Sequence, residues 1–256
     1  MSDIKGNLKI KAYYDKPAVA GEYLKQRFTL PLRQIHHERQ VEFINDTIRN
    51  LGPNSRILEI AMGPARLTSE IEDDKALLRV GIDHSKEMLK EAKNNLINKH
   101  KLEKWDLVNS DGFELPFKND VFDLVFVFRL IRHFGFQDRQ KIYREIGRVL
   151  NTPSGVLVFD AQNHKVSYPH RIKEGLNDYP VYDKLYRRQE LINELVNAGW
   201  VVRLYGVMCR FNLQEFAQKI LLKLKLRNRM IKKILRLFEN GDDSNPSEWI
   251  VLCSLK

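Results

Sequence analysis

Two hydrophobic rhythms alternate along this 256-residue chain. Short apolar runs bounded by polar or turn residues read as strands: "RILEIA" (56–61), "LLRVGID" (77–83), "WDLVNSD" (105–111), "FDLVFVF" (122–128) and "GVLVFDA" (155–161). "WVVRLYGVMC" (200–209) and "EWIVLCSL" (248–255) add a sixth strand and a last one. Between the runs, apolar residues recur at helical spacing. Ile44, Ile48 and Leu51 share a face before Gly52-Pro53 stops the helix. Met88, Leu89, Ala92 and Leu96 share another, with Ser85 expected as its N-cap. "RLTSEIEDD" (66–74) reads as a helix-like turn region, and "RQKIYREIGRVL" (139–150) and "RRQELINELVNAG" (187–199) as helices. The stretch 162–186 has four tyrosines and no clear period; it is expected to be a long loop, of the kind that forms a lid.

Strands that alternate with helices at this spacing predict an α/β fold: a doubly wound, mostly parallel, seven-stranded sheet with helices on both faces. Right-handed crossovers place the carboxyl ends of the parallel strands on one edge, where ligands bind. The expected organisation is one domain over 1–256. It comprises an N-terminal lid and helix (1–52), a core (53–209), a basic helical insert (210–240) and the last strand (246–256).

Charge changes this picture in one place. The chain carries a formal net charge of +10, from 43 basic and 33 acidic residues. Residues 210–238 hold nine Lys/Arg and one acid, Glu215, which leaves 34 basic and 32 acidic residues elsewhere, a balance of +2. Within that segment Phe216, Ile220, Leu224, Ile231, Ile234, Leu235 and Phe238 fall near one helical stripe, so it reads as one or two basic amphipathic helices. The stripe suits a cap over a pocket, apolar face inward. It equally suits docking to an anionic membrane surface, RNA or an acidic carrier protein.

Composition excludes other classes. No apolar run is long enough to cross a bilayer, and the first residues lack the apolar centre of a secretory signal. Cys209 and Cys253 have no metal or redox spacing, so no metal site is expected and the thiols should be reduced in a cytoplasmic protein, either free or peripheral to a membrane.

The candidate chemistry lies in "RILEIAMGPARLT" (56–68), a strand running into a turn with Gly63, followed 20 residues later by Asp83 at the end of the next strand. That is the design of a nucleoside site: the turn lets a ligand approach backbone, and the carboxylate accepts from ribose hydroxyls. Asp83 alone would serve equally well as a helix-capping acid. A dinucleotide needs more glycine to seat its pyrophosphate, and here Ala61 and Ala65 flank the single Gly63. A nucleoside cofactor without phosphates demands less room. Alanine is tolerated at these two positions if φ is negative there.

From residue 56 to 199 the chain resembles the class I S-adenosylmethionine-dependent methyltransferases of small-molecule type. Glu59, Ala61, Gly63 and Ala65 resemble the first motif, with alanine at two of its three glycine positions. "VGIDHSKEML" resembles the second, which implies Asp83 on the ribose and His84 beside the adenine. "NSDGFELPF" implies Asp111 at the adenine amino group and Gly112 and Phe113 at its edge. "FDLVFVFRLIRHF" resembles the fourth motif, and "RVLNTPSGVLVFD" and "LYRRQELINELVNAGW" the later helix and strand pattern. The resemblance implies S-adenosylmethionine as cofactor, S-adenosylhomocysteine as product, and cofactor contacts that also include Tyr14, Met62, Ser85, Met88, Phe128 and Arg129. Tyr14, or Tyr13 in its place, resembles the tyrosine of an N-terminal lid.

His133, just past the fourth strand, is the candidate general base, for which a helix-start histidine is an equal alternative. Arg129 and Arg132 flank it and suit an anionic substrate. His36 and His37 are expected to be surface or packing residues. The expected reaction is methyl transfer to an oxygen, nitrogen or carbon of a small molecule, lipid-linked or anionic. The place after the fourth strand reads "FRLIRHF", without the Asn/Asp-Pro-Pro-aromatic turn of amino-methylating nucleic-acid enzymes or a nucleophilic cysteine, so a nucleic-acid partner is not expected. The alternatives are a non-catalytic module that binds a membrane or partner through its basic helix, and an RNA methyltransferase. Oligomeric state is left open.

Overall fold

The computed structural model describes residues 11–175, 182–239 and 245–256. Parts of the expected lid (1–10), of the 162–186 stretch (176–181) and of the junction before the last strand (240–244) lie outside the described residues. The helices are α1 (Pro17–Arg27), α2 (Pro31–Leu51), α3 (Lys86–Asn98), α4 (Phe136–Val149), α5 (His164–Glu174), α6 (Arg188–Asn197), α7 (Phe211–Lys223) and α8 (Asn228–Leu237). The strands are β1 (Arg56–Ile60), β2 (Leu78–Asp83), β3 (Asp106–Asn109), β4 (Leu124–Val127), β5 (Val156–Gln162), β6 (Trp200–Val207) and β7 (Glu248–Leu255).

They form one seven-stranded sheet in the order β3-β2-β1-β4-β5-β7-β6. β1 to β5 run parallel, while β7 pairs antiparallel with both β5 and β6. The strands β1 and β4 sit at the centre and are buried on both faces, as a sheet covered on both sides demands. On one side Val125 and Val127 meet Ile142, Tyr143, Ile146 and Val149 of α4 and Leu191 and Leu195 of α6. On the other, Leu124 and Phe126 meet Ile35, Ile44 and Ile48 of α2, Ala92 and Leu96 of α3, and Ile231 and Leu235 of α8. Fully burying one such side chain contributes about 1.5–3 kcal/mol. The strand order reverses between β1 and β4, so the crevice at their carboxyl ends is the topological switch point.

Two local expectations are corrected. The stretch after β5 is not a loop throughout: Asn163 caps α5, its Oδ1 accepting from the Lys165 N–H at 3.0 Å, and tyrosine-rich composition hid that helix. The segment 66–74 is a turn region, as its sequence suggests. The basic segment is two helices, broken where Lys225 takes φ 54°, and their apolar residues do not share one buried face. Ile231 and Leu235 are fully buried, whereas Phe216 is 64% and Leu224 65% exposed.

Candidate active site

The turn after β1 has an unusual backbone. Ala61, Gly63 and Ala65 all adopt left-handed φ, at 53°, 55° and 56°. The condition under which alanine would be harmless is therefore not met, because an L side chain crowds the following carbonyl in this region at roughly 1–2 kcal/mol. Two contacts hold the turn: the Met62 N–H donates to the Ile82 carbonyl (3.0 Å), and the Gly63 N–H donates to Asp83 Oδ2 (2.8 Å). Relief of this strain is separable at the two alanines. Ala61 is partly exposed and its Ala61→Gly variant should be more stable by about 1 kcal/mol in urea denaturation. Ala65 is fully buried, so Ala65→Gly also loses a packed methyl of about 0.8 kcal/mol and should be close to neutral.

Asp83, at the end of β2, is the organising acid. Its second oxygen accepts from the Ser85 N–H (2.9 Å), and burial pushes its carboxyl up to about 6 against these two hydrogen bonds. Around it lies a narrow cavity of about 110 Å³. Its walls include the expected residues Tyr14, Ala61, Gly63, Asp83, His84, Met88, Asp111, Gly112, Phe113, Phe128, Arg129 and His133. Lys11, Tyr23, Ile60, Ile82, Leu130 and Phe134 line it as well; they lacked a sequence signal, since a lone lysine or isoleucine carries no pattern. Lys11 Nζ pairs with Asp111 Oδ2 at 2.5 Å, so the N-terminal segment sits in the place expected for an adenine amino group.

Three expected contacts are not in this wall. Glu59 is buried in β1, accepts from the Thr68 hydroxyl, and is pushed well up by burial. Met62 turns into the core, where it fills the space beside Gly81: a Cβ there would stand 2.4 Å from its sulfur. Ser85 caps α3, accepting from the Met88 N–H (3.3 Å), and its hydroxyl donates to the Tyr14 carbonyl (3.1 Å), which ties the N-terminal segment to the rim.

A second cavity, of about 650 Å³, adjoins the first, and Tyr14, Arg129 and His133 line both. His133 Nδ1 lies 2.8 Å from the Tyr182 carbonyl and 3.2 Å from Asp183 Oδ1. Two acceptors there place the proton on Nδ1 and leave the lone pair on Nε2, which is buried and without a hydrogen-bond partner among the described residues. Asp183 stays ionised: burial opposes its charge, but Arg132, His133 and Arg171 outweigh burial and hold its carboxyl below the usual range. Arg132 is itself committed, at 3.3 Å from Asp160 and 3.0 Å from Asp183. Arg129 is different. Its backbone is left-handed (φ 64°), its N–H donates to Asp160 Oδ1 (2.5 Å), and its buried Nε has no partner among the described residues. An orphaned guanidinium nitrogen at a strained position suits an anionic group in the cavity.

The two N-terminal histidines diverge. His36 Nε2 pairs with Glu248 at 2.7 Å and lines the second cavity, so it is more than a surface residue. His37 is a packing residue: it accepts from Arg66 Nη1 (2.5 Å), and burial lowers its basicity. Cys253 is buried, and burial raises its thiol above the usual range. Among the described residues no cluster suits a metal ion, and no helix is long and apolar enough to cross a membrane.

The first cavity fits S-adenosylmethionine by its donor set. Asp83 and Asp111 suit a ribose diol and an amino group, and the Gly63 turn presents backbone to the ligand. Arg129 suits a carboxylate. Residues 57–154 match the model of a methyltransferase domain. A demethylmenaquinone methyltransferase from Corynebacterium kroppenstedtii is 33% identical over 105 residues, 41% of this chain and 41% of that protein. The chain thus spans less than half the length of that relative.

Solved structures with the same fold include a possible histamine N-methyltransferase from Thermotoga maritima, with a TM-score of 0.63 and 15% identity over 94% of this chain and 97% of that one. Another is the magnesium protoporphyrin IX methyltransferase of Synechocystis with bound S-adenosylhomocysteine, with a TM-score of 0.65 and 11% identity over 98% and 100%. The match to a methyltransferase domain thus covers the centre of the chain, residues 57–154, in a sheet that shares its fold with these solved methyltransferases.

Proposed function

We propose that this protein transfers a methyl group from S-adenosylmethionine to an oxygen or nitrogen of a small, anionic, lipid-linked acceptor, and works at an anionic membrane surface. The observation that carries the methyl-transfer reading is the junction of the two cavities, where His133 Nε2 and Arg129 Nε are both buried and unpartnered. When bound, S-adenosylmethionine supplies an activated sulfonium methyl whose departure leaves a neutral thioether. The protein positions the acceptor, excludes water and takes the proton.

Arg129 would hold the anionic end of a ligand at the junction, and His133 Nε2 would take the acceptor's O–H or N–H proton as the acceptor gains the methyl group that the bound cofactor would supply. The imidazolium so created is stabilised by ionised Asp183 behind Nδ1, and proton return to solvent resets the base. Tyr14 closes the shared wall.

Isothermal titration with S-adenosylhomocysteine is the test: saturable, one-to-one binding is expected. The strained alanines favour a second reading, a non-catalytic module that has kept the fold. Absence of any heat of binding, with the protein shown to be folded, would overturn the enzyme reading and leave the module.

A further inference from the structure

The helix α7 is built inside out. Its buried polar side chains are glutamines, Gln214 at 0% and Gln218 at 6% exposure. Its apolar residues Leu213, Phe216, Ile220 and Leu224 recur at the spacing of one helical stripe and are 44%, 64%, 44% and 65% exposed. The glutamines face inward for a reason. Gln218 Oε1 accepts the Leu32 N–H (2.8 Å), a donor that the first turn of α2 cannot satisfy, and Gln214 Nε2 donates to the Leu235 carbonyl (3.2 Å) at the end of α8. The packing of α7 thus fixes an apolar ridge toward solvent.

Cations surround this ridge. Lys219 and Lys223 lie on its flank, and Lys225, Arg227, Arg229 and Lys233 follow on the α7–α8 connection and on α8. Lys219 pairs with Glu215 at 2.9 Å, whereas Lys223, Lys225, Arg227, Arg229 and Lys233 have no acidic partner among the described residues. Met230 and Leu237 extend the exposed apolar surface onto α8.

We infer that the α7 ridge, with the adjoining cations, is an interfacial anchor that lies flat in an anionic lipid surface. Charge complementarity selects this occupant. A second copy meeting the ridge across a two-fold axis would bring like cations together, and an apolar stripe edged by lysines that snorkel outward matches a headgroup–acyl boundary. The inner face of the same helix, through Phe211, Glu215 and Gln218, walls the second cavity, whose rim also holds exposed Leu30 and Arg33. An anchored α7 therefore sets that cavity beside the lipid headgroups, and the acceptor is a lipid with an anionic head. That last step rests on the methyl-transfer reading; the anchor does not.

Flotation of the full chain, without cofactor, tests the anchor with vesicles of phosphatidylcholine alone and of phosphatidylcholine with phosphatidylglycerol in equal parts. The protein should float with the anionic vesicles, release as salt rises, and stay down with the neutral ones. Phe216→Asn combined with Ile220→Gln keeps every charge and alters only exposed side chains. It should reduce partitioning at least about tenfold. Lys223→Gln with Lys225→Gln should reduce it by a similar factor. Affinity for S-adenosylhomocysteine should be unchanged in both variants, which separates failure of the anchor from failure of the cofactor site. No flotation of the wild type at low salt, or equal flotation of the ridge variant, overturns the proposal. So does a dimer that the ridge variant dissolves, since the occupant would then be a second copy.

Discussion

Replacing His133 by glutamine is expected to lower kcat by about two to four orders of magnitude, the usual range for loss of a positioned general base. Glutamine keeps much of the ring's volume, so S-adenosylhomocysteine affinity should stay within about threefold of the wild type. The split follows from geometry. His133 Nδ1 is committed to the Tyr182 carbonyl and the Asp183 carboxylate, so only Nε2 faces the cavity junction with a lone pair. Asp183→Asn should slow turnover less, because the Tyr182 carbonyl still fixes the tautomer while the stabilisation of the imidazolium is lost. That variant also leaves Arg132 and Arg171 short of a buried counter-ion, and its melting temperature should fall. Single-turnover methyl transfer with saturating cofactor measures the first effect. A His133→Gln protein that retains kcat within threefold would return His133 to a packing role.

The frame of this molecule was readable in its hydrophobic pattern because each strand's burial is local information. Runs such as "FDLVFVF" and "EWIVLCSL" have no polar face to offer water, and they occupy β4 and β7. Glu59 and Asp83 could be marked as acids at strand ends, yet pattern does not say where a carboxylate points. Glu59 turns to Thr68 while Asp83 closes the turn through Gly63. Asp183 had no signal at all. It lies in an aperiodic stretch, and it meets His133 and Arg132 from about 50 residues along the chain.

The basic segment shows a different limit. Helical spacing identified a stripe, but spacing cannot say which side of a stripe is inside. The choice follows the backbone groups that glutamines on the inner face of α7 meet: the Leu32 N–H, unpaired within its own helix, and the Leu235 carbonyl. Likewise, the alternating left-handed residues at 61, 63 and 65 accompany the close return of the turn onto Asp83 and Ile82. Alanine in two of those positions discloses nothing of the kind in sequence.

The second large effect is a pH dependence of cofactor binding, with Asp83 as its source. Burial raises this carboxyl to about 6 in the free protein, well above the ordinary carboxylate value of 3.8. The sign follows directly. A group raised by folding contributes stability that is complete below its unfolded value and is lost as pH rises through its folded one, so the fold bears an unfavourable ionised Asp83 above pH 6. Ribose hydroxyls donating to the carboxylate would relieve that cost, because they stabilise the ionised form and pull its pKa back down. Binding must then release protons near pH 6, and affinity for S-adenosylhomocysteine should rise between about pH 5 and 7, by up to about tenfold per unit on the acid side. Titrations in two buffers of different ionisation enthalpy measure the released proton directly. Asp83→Asn should bind about 10–100-fold more weakly at neutral pH and lose the dependence, since a charged acceptor is replaced by a neutral one. An affinity that stays flat from pH 5 to 7, with no proton released, would show that the ribose does not engage Asp83, and the carboxylate's work would then be confined to holding the Gly63 turn and the start of α3.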